Sequence, residues 1–135
     1  MKYMLDSDAC IYMHNNVSID YFSKLSNLGE NSEVLLSTIV LSELQYGVSN
    51  SDRIEDNQMK LQCFLEGVRI IPYDIKCTSY YGEIRAILRK QGNSIEPNDM
   101  FIAAHAIAEN ATLITNNTRE FERIDNLKVL SWKSL

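Results

Sequence analysis

Four short, mostly apolar runs punctuate the chain before Val129-Leu130 ends the fold: Tyr3-Met4-Leu5, Val34-Leu35-Leu36, Val68 to Ile71 and Ala111 to Ile114. Each is too brief for a buried helix and is bounded by polar or turn-forming residues, so each reads as a buried strand. Between them lie segments with helical spacing. A helix is expected from Ala9 to about Asn16, another starting at Ser37 or Thr38, and a polar one with apolar teeth from about Asp52 to Glu66. A long amphipathic helix is expected from Asp74 to Gly92, with Tyr80, Ile84, Ile87 and Leu88 facing inward. Strand and helix in alternation imply an α/β fold, a central parallel sheet with helices on both faces.

At 135 residues and 45% hydrophobic content, the chain is expected to form one domain, residues 1–135, with a sizeable core. No apolar run is long enough to span a bilayer and no secretory signal is visible, so a cytoplasmic, non-membrane protein is expected. Cys10, Cys63 and Cys77 are widely spaced and odd in number, which fits reduced core thiols better than disulfides or a zinc pattern. A net charge of -5 argues against a protein that coats nucleic acid through bulk basicity.

Four carboxylates fall where strands give way to helices: Asp6, Asp8, Glu43 and Asp99. Acids gathered at the carboxyl ends of parallel strands form an oxygen-donor site suited to a hard divalent cation such as Mg²⁺ or Mn²⁺. Each has a plainer reading. Asp6, Ser7 or Asp8 can cap the helix that follows, although three polar residues exceed what capping needs. Glu43 shares its side with Val40 and Gly47, beside an apolar stripe of Leu41, Leu44 and Val48; a glutamate at random is more often solvated. Pro97 just inside a helix start puts Asp99 in the first turn, where an acid also stabilises the helix dipole. The segment Met100 to Ala108 is apolar nearly all round except for His105, so that helix is buried and Asp99 is pinned with it.

Taken together, MLDSDACIY (4 to 12), STIVLSELQYG (37 to 47), EIRAILRKQGNSIEPNDMFIAAHA (83 to 106) and LITNNTREFERI (113 to 124) resemble the PIN-domain nucleases, and among them the VapC toxins of bacterial toxin-antitoxin pairs. The resemblance covers nearly the whole chain. It implies a three-layer PIN-domain fold, with Asp6, Glu43 and Asp99 as the acidic core that holds the metal. Asn117 stands where much of the superfamily has a fourth acid, leaving the site one carboxylate short, with Asn117 as a ligand or water-positioning residue. Asp8 replaces the family's usual Asn and adds charge beside Asp6. Glu120 is either an outer acid or, the reading preferred on sequence, a surface partner of Arg119 or Arg123.

The resemblance further implies an endoribonuclease that cuts structured RNA, tRNA above all, through metal-activated water. It implies a homodimer and a VapB-type antitoxin that silences it. Arg85, Arg89 and Arg119 are candidate RNA contacts, or simply solvated charges. His105 reads as a structural hydrogen-bonding residue, and Tyr80 and Tyr81 as core or dimer contacts before base-stacking ones. Trp132 is expected to anchor the carboxyl end. Two other readings fit parts of the chain: a decayed PIN-like binding module, supported by Asp8 and Asn117, and an aspartyl-phosphate phosphotransferase built on Asp6-x-Asp8. The latter lacks the Gly and Thr expected after the second Asp, where Ala9 and Cys10 stand.

Overall fold

The computed structural model describes residues 1–10 and 19–135. Strand β1 (Lys2–Leu5) leads into helix α1, helical from residue 7 to 10. The rest of the helix expected to reach Asn16, with His14 on it, lies outside the described residues. There follow α2 (Ile19–Ser26), β2 (Glu33–Ser37), α3 (Thr38–Ser49), α4 (Ile54–Leu65) and β3 (Arg69–Ile71). The remainder comprises α5 (Ile75–Gln91), α6 (Pro97–Ala108), β4 (Thr112–Thr115), α7 (Thr118–Phe121) and β5 (Val129–Ser131). A 3-10 turn, Trp132–Ser134, closes the chain, with Trp132 buried and Lys24 over its ring.

The five strands form one sheet in the order β3-β2-β1-β4-β5, every pairing parallel. The chain builds outward from β1 in one direction to β3, then crosses over and builds in the other. Right-handed crossovers in opposite directions cover both faces of the sheet with helices. The place where the order reverses, between β1 and β4, opens a crevice at the carboxyl ends of those strands, which is where open α/β sheets bind ligands. Asp6 and Thr115 stand on the two sides of it.

The core is continuous across the sheet, with Met4, Leu5, Leu35, Leu36, Leu113 and Ile114 all essentially inaccessible. The α5 helix differs from expectation. Its buried residues are Cys77, Ile84 and Leu88, and Tyr81 joins that stripe; Tyr80 is 37% and Ile87 51% exposed. The stripe runs i, i+4, i+7, i+11, and Tyr80 and Ile87 sit one helical step off it. In α3 the buried stripe is Val40, Leu44 and Val48, with Leu41 only partly covered. Helix α5 stops at Gly92, whose φ of +71° is the left-handed cap that glycine adopts without strain. The three cysteines are free thiols: Cys10 and Cys77 buried, Cys63 partly exposed.

Candidate active site

Asp6 follows directly on β1, and its N–H still reaches Ile114 O on β4 at 3.0 Å. Its side chain is 2% exposed and both carboxyl oxygens are engaged. Oδ1 accepts from the Ala9 N–H at 2.8 Å, so the capping role is real; Oδ2 accepts the Thr115 hydroxyl proton. Burial pushes the Asp6 carboxyl up to about 6, against the pull of those two hydrogen bonds, and Asp8 and Glu120 push further by like charge. Neighbouring Ser7 is buried with its Oγ unpartnered among the described residues, while Asp8 is exposed.

Asp99 sits in the first turn of α6, as Pro97 dictates. Its carboxyl is raised to about 7, first by burial, then by the charge of Glu120 and a hydrogen bond to it, then by Asp6 and Asp8. Glu43, half-way along α3, reaches the same edge, where the Asn98 amide donates to its Oε1 at 3.0 Å. The buried Cys10 thiol, pushed up by its burial, also feels Asp6 and Glu43 together. Asp8, Glu43, Glu96 and Asp99 line one open cleft with Ser7, Pro97 and Asn98.

Glu120 overturns its sequence-based reading. Rather than pairing with Arg119 or Arg123 at the surface, it accepts the Asn117 amide proton at 2.5 Å and faces Asp99. The reason is topological: after β4 the chain turns at once into the single turn of α7, which folds Glu120 back over the carboxyl edge of the sheet. Three residues after Asn117, at which the site is expected to be one carboxylate short, Glu120 thus brings an acid beside Asp99. Thr115 and Glu96 were also missed. Thr115 falls within β4, which runs one residue past the strand expected to end at Ile114, and a strand threonine carries no signal of its own.

The three arginines named as RNA contacts are exposed and none lines the cleft; Arg85 donates to the Tyr81 hydroxyl at 2.8 Å. Among the described residues no lysine or arginine pairs with Asp6, Asp8, Glu43, Asp99 or Glu120. Burial and the neighbouring acids thus raise the Asp6 and Asp99 carboxyls with no cation paired to them among the described residues. No three acid, histidine or cysteine side chains among the described residues stand close enough to grip one ion jointly. Mg²⁺ needs only one or two carboxylates directly, keeping several waters, so this all-oxygen donor set fits it and fits no soft metal.

Residues 3–127 match the PIN domain family. The chain is a PIN-domain protein. Over 132 residues, 98% of both chains, this PIN domain is 51% identical to ribonuclease VapC2 of Rickettsia felis. It is 34% identical over the same span, again 98% of both, to the tRNA(fMet)-specific endonuclease VapC of Shigella flexneri. Its fold superposes with a TM-score of 0.92 on a chain of VapBC2 from Rickettsia felis, crystallised with a DNA fragment from the promoter. The two are 49% identical, and the match covers 98% of this chain and 99% of that one. Within the PIN family it belongs to the VapC ribonucleases.

Proposed function

We propose that this PIN domain is a Mg²⁺- or Mn²⁺-dependent endoribonuclease toxin that cuts structured RNA, tRNA first, until a VapB-type antitoxin covers its cleft. The observation that carries the metal and the chemistry is the uncompensated carboxylate set at the β1–β4 crevice, where Asp6 and Asp99 titrate near 6 and 7. The tRNA(fMet)-specific endonuclease VapC of Shigella flexneri supports a tRNA substrate, and the VapBC2 structure from Rickettsia felis supports the antitoxin. A homodimer acting in the cytoplasm completes the proposal.

In this reading Asp6 and Asp99 would hold the ion directly, with Asp8 and Glu43 reaching it only through its coordinated waters. When bound, the ion supplies Lewis acidity, offsetting phosphate charge and making water a stronger acid. Thr115 and the Ala9 amide fix the Asp6 carboxylate; Asn98 fixes Glu43; Asn117 fixes Glu120 beside Asp99. Asn117 thereby acts by orienting an acid. Positive charge for the RNA backbone comes from Arg119, next to Glu120, and from Arg85 and Arg89 on α5.

The test is cleavage of total small RNA by purified, antitoxin-free protein, with product 5′ ends mapped. Discrete Mg²⁺-dependent cuts should appear, and should vanish in Asp6→Asn, in Asp99→Asn and with chelator. Intact RNA from folded protein that binds Mn²⁺ would instead favour a PIN-like binding module. Phosphoenzyme formed from an acyl-phosphate would revive phosphotransfer at Asp6.

A further inference from the structure

Helices α3 and α6 carry Glu43 and Asp99, and they are tied together twice. At the cleft, Asn98 donates to Glu43. In the interior, the Nδ1 of His105 lies 2.8 Å from the Oγ of Ser37, and both residues are completely buried. Ser37 ends β2 and caps α3, its Oγ accepting from the Ile39 N–H at 3.1 Å. Glu43 comes six residues after Ser37 and Asp99 six before His105. Six residues are about 9 Å of helix. The two ties therefore run in opposite chain directions along the pair: forward on α3 is backward on α6. Their separation brackets the stretch of both helices that delivers the acids.

The Ser37 hydroxyl accepts one bond and has one proton to give. Donating it to His105 Nδ1 leaves the imidazole proton on Nε2, which has no hydrogen-bond partner among the described residues. Burial lowers the His105 pKa, so the ring is neutral and its Nδ1 is free to accept. Tyr73, edge-on at 5.7 Å, and Phe101, edge-on to Tyr73 at 5.4 Å, close the ring in. A buried histidine with one nitrogen unpaired is retained at a desolvation cost that a leucine would not incur.

We infer that His105 is a positioning residue: its bond to Ser37 sets the register of α3 against α6, and so the spacing of Glu43 and Asp99 across the cleft. The inference rests on the metal-site reading above. Partners bonded directly to metal ligands affect metal affinity by about 10- to 100-fold, and the same range is the expected effect of a bond that spaces the ligand-bearing helices.

Full-length His105→Leu, Ser37→Ala and the double variant are compared with Leu88→Ala, an equally buried control on α5. Mn²⁺ affinity is measured by calorimetry and the Asn98 side-chain amide is followed by NMR without metal. Both single variants should bind Mn²⁺ about 10- to 100-fold more weakly, with the double variant no weaker than either single, because the pair acts as a unit. The Asn98 amide signals should shift in all three and stay put in Leu88→Ala. His105→Asn, which keeps an acceptor near Nδ1, should recover most of the affinity, and with Ser37→Ala it decides the matter if His105→Leu does not fold. Wild-type affinity in the folded variants, additive losses in the double variant, or an equal loss in Leu88→Ala would overturn the inference. If the wild-type chain binds no Mn²⁺, the metal reading fails, and the Asn98 signals alone decide whether His105 positions α3.

Discussion

Thr115, the last residue of β4, donates its hydroxyl proton to the carboxylate of Asp6, the residue that follows β1. The parallel register brings the pair together: Leu5 lies opposite Ile114, so the next residues along each chain meet at the carboxyl edge. The same Thr115 Oγ1 accepts the Asn117 N–H at 2.9 Å and so starts the turn that delivers Glu120. One hydroxyl thus connects the acid of the first strand to the acid of the last helix.

Thr115→Val removes a donor from a buried carboxylate and an acceptor from the Asn117 amide. Leaving such groups unpaired costs about 1–3 kcal/mol. Urea unfolding near pH 8 should show a loss of that size, and the Asp6 carboxyl should titrate higher still, since the lost bond favoured its ionised form.

Stability without metal should fall as pH rises. The folded chain keeps a proton on Asp6 up to about 6, whereas the unfolded chain releases it at 3.8. Between those values the folded state binds more protons, so the stabilisation is present below about 4 and is lost as pH climbs through 6. The shift corresponds to roughly 3 kcal/mol. Urea midpoints in EDTA at pH 4.5 and 8 should differ in that direction; Asp6→Asn should reduce the difference, and Mn²⁺ at pH 8 should restore stability to the wild type but not to Asp6→Asn.

Glu120→Gln takes a negative charge from beside Asp99. The Asp99 carboxyl, now raised to about 7, should fall toward its ordinary value, as a carboxyl ¹³C titration would record. RNA cleavage should fall at the same time, although the apo-protein becomes more stable near pH 8. Unchanged titration of Asp99 would mean that Glu120 does not face it in solution.

Gly92→Ala tests the α5 cap in isolation. Nothing lies within 4 Å of an added Cβ, so only the φ of +71° opposes it. That conformation costs a non-glycine residue about 1–2 kcal/mol. Thermal or urea unfolding should show a loss of that size, with Mn²⁺ affinity unaltered.

Most of the strand and helix alternation, though not α2, α7 or β5, was legible in the chain, as were the placement of Asp6 after the first strand and of Asp99 in a proline-led first turn. Each rests on local properties: run length, helical periodicity and the missing amide of Pro97. The inward face of α5 was legible only in part, since Tyr80 and Tyr81 are adjacent and identical in type, and only packing against Phe101, stacked 4.2 Å from Tyr81, chooses between them. Glu120 was out of reach, because a glutamate between two arginines looks like a surface ion pair until the turn after β4 carries it to Asp99. So were the Thr115–Asp6 and His105–Ser37 bonds, whose partners lie 109 and 68 residues apart. The sequence by itself determined where most of the strands and the longer helices lie, because that choice depends on neighbours along the chain. The tertiary structure alone decided which acids share one cleft and what orients them, because strand order and helix register bring together groups that no local pattern relates.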